Sequence, residues 1–278
     1  MASNGKKFID ATKCVLLNMD ETESYCKDDK DDKVDKRGCI CKAGFVVHSE
    51  NQKNGILVFG INPAGVEADA NAEENGTYLY YLDDDGDKID NRTYKKFYKP
   101  IFDLFNNAAE SGAKWDWCNL KRDELIKQIK KDGDLKEHET RILQYYDNPK
   151  NKNKKYTLYL GEFFYYHKTS QSKFEELIDK NKLNDHMIKM LNMHIEEILS
   201  GDKNNKLKLI YINNATASTW LSDAIGNTDY ETVRKYQYTD ENNKEIEIPI
   251  IFGPMISCPV DKFSKKRLEQ EIKFQLKK

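Results

Sequence analysis

The sequence predicts an α/β fold, a three-layer α/β/α sandwich around a mainly parallel sheet. β-rich runs recur as GILVFGI (55–61), YTLYLGEFF (156–164), LKLIYI (207–212) and IEIPIIF (246–252). A polar loop and then a segment of helical apolar period follow the runs. The first run is apolar enough for burial on both faces, which suits a parallel strand. Strand, loop and helix in that order imply parallel strands joined by right-handed crossovers.

Taken along the chain, residues 21–38 (ETESYCKDDKDDKVDKRG) are nearly all charged or polar and read as a solvated excursion. AGFVVHS and GILVFGI, separated by ENQKN, suggest a hairpin or a neighbouring strand pair. TYLYYLDDDGDKI carries an Asp-Gly turn, so residues 67–90 are expected to be a hairpin insertion. Its acids do not form a calcium loop, because Tyr81 and Arg92 would fall at the first and last ligand positions. From Thr93 the apolar residues through Phe105 repeat with a helical period, with Pro100 at a kink or in the first turn. Residues 148–155 are a surface loop, and Lys173–Lys180 is helical. The next helix, capped by Asn184 or Asp185, buries Met187, Met190, Leu191, Ile195, Ile198 and Leu199 and stops at Gly201. NNATASTWLSDAI opens a further helix, and Asp261–Leu276 closes the chain with another.

The 278 residues are read as one domain, with a net charge of −2 from 45 basic and 47 acidic side chains. That balance argues against a global basic field, so any polyanion contact has to be local. No run approaches the roughly 20 apolar residues of a membrane span, and the amino terminus lacks the blocks of a signal peptide. A cytoplasmic protein with no membrane partner is expected. The six cysteines are then thiols. Cys26, Cys39 and Cys41, spaced C-x12-C-x-C, match neither a zinc knuckle nor an iron–sulfur run, so no metal or cofactor is expected.

In a parallel sheet, ligands bind beyond the carboxyl ends of the strands. Four loops converge there: Asn62–Ala70, Glu162–Ser172, Asn213–Ser218 and Gly253–Pro259. The first follows Gly60-Ile61-Asn62-Pro63, in which Gly60 lets the chain turn and Pro63 fixes the turn, presenting Asn62. Glu162 is a general base by position or a helix-adjacent charge, and His167 is an acid/base candidate or an exposed loop residue. Asn213 and Asn214 either contact a ligand or cap the following helix. His138, His186 and His194 fall on helical stretches and are expected at the surface.

Gly60-Ile61-Asn62-Pro63 resembles the first motif of the uracil-DNA glycosylase superfamily, whose mismatch-specific branch carries Gly-Ile-Asn-Pro-Gly; Ala64 replaces the last glycine. Asn91-Arg92-Thr93-Tyr94 resembles the Asn-Arg-Phe-Trp stretch opening the next helix of that branch, and LIYINNATASTWL is similar to the family's late strand and small-residue helix start. By order of elements the likeness spans residues 55–275, but only the first motif is specific. The second motif, usually His-Pro-Ser, falls in Phe252-Gly253-Pro254-Met255-Ile256-Ser257 without its histidine, which the mismatch-specific branch also lacks.

The resemblance implies a uracil-DNA glycosylase-like fold that hydrolyses an N-glycosidic bond in DNA or a nucleotide. It places Asn62 on the attacking water and Gly60, Ile61, Pro63, Pro254 and Ser257 around the substrate. Cleaving such a bond requires a positioned water, stabilisation of the departing base and extrusion of the nucleotide. Stacking candidates are Tyr78, Tyr80, Phe163 and Tyr165; base-edge contacts come from Asn213, Asn214 or the Glu162 region. Lys262, Lys265, Lys266 and Arg267, with Lys273, Lys277 and Lys278 against Asp261, Glu269 and Glu271, make a closing segment of net charge +4 that either contacts phosphate or is a solvated helix face. Two other readings stay open. One is a non-catalytic nucleotide or nucleic-acid binder of the same fold. The other is an unrelated Rossmann-like hydrolase, which a hydrogen-bonded Glu162–His167 pair would favour.

Overall fold

A computed structural model describes residues 6–17, 39–40, 43–48, 54–61, 99–109, 141–145, 156–167, 171–200, 206–256 and 258–278. The acidic excursion, the Asp-Gly hairpin and the 148–155 loop lie outside them. In chain order the elements are α1 (Lys6–Lys13), β1 (Cys39–Ile40), β2 (Ala43–His48), β3 (Asn54–Gly60), α2 (Lys99–Ala108), β4 (Arg141–Tyr145), β5 (Thr157–Glu162), β6 (Tyr166–His167), α3 (Gln171–Glu175), α4 (Leu183–Ser200), β7 (Lys206–Asn213), α5 (Ala215–Ala224), β8 (Val233–Thr239), β9 (Glu245–Gly253) and α6 (Lys262–Lys277).

The fold is mixed α/β. Seven strands form one sheet in the order β4-β2-β5-β3-β7-β9-β8. Its centre, β5-β3-β7-β9, is parallel throughout. β2 lies antiparallel to β5 and parallel to β4, and β8 lies antiparallel to β9. β2 and β3 are therefore both strands, but not neighbours: β5 sits between them. β3 takes the interior place because Gly55 through Phe59 are all buried.

Alternation along the strands sends side chains into two apolar clusters. Leu57, Phe59, Ile210 and Ile212 join Phe8 of α1, Met187 and Met190 of α4, and Leu221 of α5. Ile56, Val58, Leu209 and Tyr211 join Phe102 and Phe105 of α2 and Ile272 of α6. A register shift opposite Gly55 and Ile56 inserts an extra residue, Lys208, so that Leu207 and Leu209 enter opposite clusters although only two positions apart.

Pro100 stands in the first turn of α2, where its missing N–H costs nothing. α4 begins at Leu183, which places Asn184 and Asp185 inside the first turn rather than at its cap. Asp261 caps α6, its carboxylate accepting from the Phe263 and Ser264 amides. At the other end, Tyr156, just before β5, donates its hydroxyl to the Leu276 carbonyl at 3.2 Å. α6 thus ends beside the strand starts and begins beside their carboxyl ends. The β8–β9 hairpin closes on Asp240, whose Oδ1 accepts from the Asn242 and Lys244 amides, with Asn243 left-handed at φ 61°. Among the described residues no helix is long and apolar enough to cross a membrane.

Candidate functional site

The register brings four strand ends together: Gly60 of β3 opposite Glu162 of β5, and Asn213 of β7 opposite Gly253 of β9. β3 and β7 are themselves paired, Phe59 opposite Ile212. These ends begin the four loops singled out from the sequence.

Glu162 is the chemically distinctive group. Its Oε2 is buried and accepts no hydrogen bond from any described residue. Burial alone pushes the carboxyl up to about 8, because a low-dielectric setting disfavours the charged form. The carboxyl lies against the backbone of Gly60: a side chain there would put its first carbon 2.7 Å from the Glu162 Cδ. A side chain at Gly60 would therefore push the Glu162 carboxyl aside.

The backbone carrying Glu162 is held from beneath. Its amide donates to the Tyr165 hydroxyl at 3.4 Å, and that hydroxyl lies 2.6 Å from His194 Nε2. His194 Nδ1 lies 2.7 Å from the Met190 carbonyl, which can only accept, so Nδ1 carries the proton. Burial holds His194 neutral, its value lowered to about 3, so Nε2 accepts from the Tyr165 hydroxyl. The polarity of the chain from the Glu162 amide to Met190 is thereby fixed. The imidazole packs between Phe8 and Phe59 at centroid distances of 4.5 and 4.7 Å. It reaches β5 because Gly161 has no side chain, a Cβ there falling 2.7 Å from the ring.

His186 and His194 are thus 4 % and 0 % exposed, which overturns the surface placement read from the sequence. Both lie on the apolar stripe of α4 with Met187, Met190, Leu191, Ile195 and Ile198. That helical spacing was the available signal, together with the strand glycine Gly161. His186 Nε2 donates to the Phe163 carbonyl at 2.8 Å, and burial lowers its value to about 4.

Phe163 and Tyr165, expected as stacking platforms, are each 0 % exposed. Phe163 stacks on Phe59 at 4.3 Å, and its amide donates to the Gly60 carbonyl. Both rings are core that supports the site, and neither offers a face to a base. Ile61, 3 % exposed, belongs to the same cluster.

The β7–β9 ends are closed by hydrogen bonds. Asn213 Oδ1 accepts from the Ile256 amide at 2.8 Å. Asn214 is the N-cap of α5, its Oδ1 accepting from the Ala217 amide at 2.9 Å and its Nδ2 donating to Gln171 Oε1. Ser218 Oγ donates to the Gly253 carbonyl and accepts from the Gly253 amide. The Tyr211 hydroxyl donates to the carbonyl of exposed Pro254.

Asn62, Pro63, Ser257, Tyr78, Tyr80 and His138 lie outside the described residues. His167 is described in its backbone, opposite Cys39 between β1 and β6, but its side chain is outside them, as is any bond from it to Glu162. Lys262, Lys266 and Arg267 are exposed and Lys265 half-buried on the first turns of α6, at the end of that helix beside the four strand ends. Among the described residues no group of histidine, cysteine, aspartate or glutamate is arranged to hold a metal ion. No family model and no curated protein matches this chain.

Proposed function

We propose that the protein hydrolyses the N-glycosidic bond of a base in DNA or a nucleotide, within a three-layer α/β/α sandwich of the uracil-DNA glycosylase kind. The observation that carries the reading is the Glu162 carboxyl, its buried Oε2 without a hydrogen-bond partner among the described residues, pressed against Gly60 at the head of the Gly-Ile-Asn-Pro sequence. The parallel strands β5-β3-β7-β9 and the helices divided between two core clusters support the fold.

Asn62 holds a water through its side-chain carbonyl below the sugar. Glu162, raised to about 8, is protonated at neutral pH and acts as an acid rather than as a base. As the bond from the sugar carbon to the base nitrogen breaks, its electron pair leaves with the base, and the Glu162 proton passes to the base. The water oxygen bonds to the sugar carbon, and its proton returns to the carboxylate or to solvent. Placing the neutral acid in a water-poor site raises the worth of that proton where charge develops on the base.

Single- and double-stranded oligonucleotides containing uracil, incubated with the protein and probed for abasic sites, test the reading. Release of the base, lost in Asn62→Ala and in Glu162→Gln, is the expected result. Binding of the oligonucleotide with no release would leave a non-catalytic binder of the same fold. Neither binding nor release of uracil, hypoxanthine or mismatched thymine would remove both.

A further inference from the structure

We infer that the exposed face of α6 is a track for single-stranded nucleic acid leading to the four strand ends, an inference that rests on the glycosidic reading of the site. The exposed residues of α6 are Lys262, Phe263, Lys266, Arg267, Gln270, Phe274 and Lys277, with Lys278 following. From Phe263 onward they recur every three or four positions and so form one stripe along the helix. The stripe holds no acid. Glu269 and Glu271 sit on its half-buried flanks, Glu269 pairing with Lys266 at 2.6 Å. Asp261 at the cap faces Arg267, and Glu247 at the start of β9 faces Lys278.

Two aromatic rings stand in this basic stripe, Phe263 at 76 % and Phe274 at 54 % exposure. They lie eleven residues apart, about 16 Å along the axis. The Lys278 Nζ rests 4.2 Å from the Phe274 centroid, and the ring keeps its exposure with that contact in place. Cations that track phosphates, interleaved with aromatic faces that receive unstacked bases, are the two components of single-strand binding. A helix lying in a membrane interface segregates cations from its apolar face, whereas here Lys266, Arg267 and Gln270 lie between the two rings. A duplex offers phosphates but no free base faces. The Tyr156–Leu276 bond sets the direction: the Phe263 end lies towards the end of the sheet that carries Glu162, Asn213 and Gly253, and the Phe274 end lies away from it.

Anisotropy of a labelled oligothymidylate, titrated with the full chain at low and at moderate salt, tests the track. Phe263→Ala is expected to weaken binding about 5- to 100-fold at both salt concentrations. Lys262→Glu with Arg267→Glu should weaken it most at low salt and reduce the slope of log K against log salt by about 1.4. All three side chains are exposed, so the variants should keep the parent circular-dichroism spectrum. Unchanged binding in both variants overturns the track. So does tighter binding of a duplex than of the single strand, or binding of phosphatidylserine vesicles without binding of the oligonucleotide. The two readings fail separately. Base release from a uracil single strand with unaltered binding in the α6 variants removes the track alone. Track-dependent binding with no base release by the parent protein removes the glycosidic reading alone.

Discussion

At the carboxyl ends of β7 and β9 the Asn213, Asn214, Ser218 and Tyr211 side chains all have hydrogen-bond partners; at the ends of β3 and β5 a buried carboxyl oxygen has none. Both pairs of ends lie at the same end of the sheet. One is a structural closure, in which asparagine and serine replace the hydrogen bonds that strand and helix ends lose. The other keeps a polar group out of water without compensation, a state that costs stability and that folded proteins retain chiefly where chemistry uses it. The contrast moves the centre of the site from the four loops together to the Gly60–Glu162 pair.

The contrast is tested most strongly by Glu162→Gln, which keeps the shape and one hydrogen-bond donor but removes the transferable proton. Base release should fall about 10³-fold at neutral pH, while the same experiment on Asn213→Ala should leave the chemical step close to parent. Gly60→Ala, which forces the carboxyl aside, should follow Glu162→Gln in single-turnover rate. The pH profile decides the role of the group. An acid gives a rate that holds up to about 8 and then falls. A rate rising through the same region would make Glu162 a base.

His194→Ala comes next, and it probes what lies beneath the β5 end. Losing a fully buried ring packed between Phe8 and Phe59 should cost about 3 kcal/mol in denaturant unfolding. His194→Phe would keep much of the packing but leave the Tyr165 hydroxyl without its acceptor. If the chain from Glu162 to Met190 positions the carboxyl, this variant shifts the pH–rate midpoint as well as the stability.

Stability against pH offers a third comparison. The raised Glu162 contributes fully below about 4.5, its ordinary value, and its contribution is lost as pH climbs towards about 8. His194 and His186, lowered to about 3 and 4, contribute fully above their ordinary 6.5 and lose that contribution as pH falls through those values. With two histidines opposing one carboxyl below 6.5, and the carboxyl alone titrating above it, these groups place the maximum near pH 6.5. Glu162→Gln should flatten the alkaline side up to about 8 and steepen the rise between about 4.5 and 6.5, where the histidines then titrate unopposed. The smallest effects belong to the closed ends: Asn214→Ala and Ser218→Ala should each lower stability by about 1 kcal/mol without altering the rate of the chemical step.

The central strands were readable because GILVFGI and LKLIYI are apolar over more than one face, and α4 and α6 because their apolar period and breakers agree. β8 was not recognised: VRKYQYT is a half-exposed edge strand whose charges mask its alternation. Strand order was not readable either, since nothing local to AGFVVHS or GILVFGI states that β5 enters between them. Glu162 was marked by its place after a strand, but its protonation depends on burial by residues distant in sequence. His186 and His194 are polar by type, yet their place on the apolar stripe of α4 decides their burial, and that spacing outweighs side-chain polarity.

The tight Asp240 hairpin between β8 and β9 has a practical use. It turns at the amino end of β9, the far end of the sheet from Glu162 and from the Phe263 end of α6, and residues 241–245 are exposed. A fluorophore-bearing peptide or an affinity tag spliced between Glu241 and Asn243 would lengthen a solvent-facing turn rather than a packed connection. Such a chain could be immobilised or labelled with the strand ends and the α6 stripe turned towards solution.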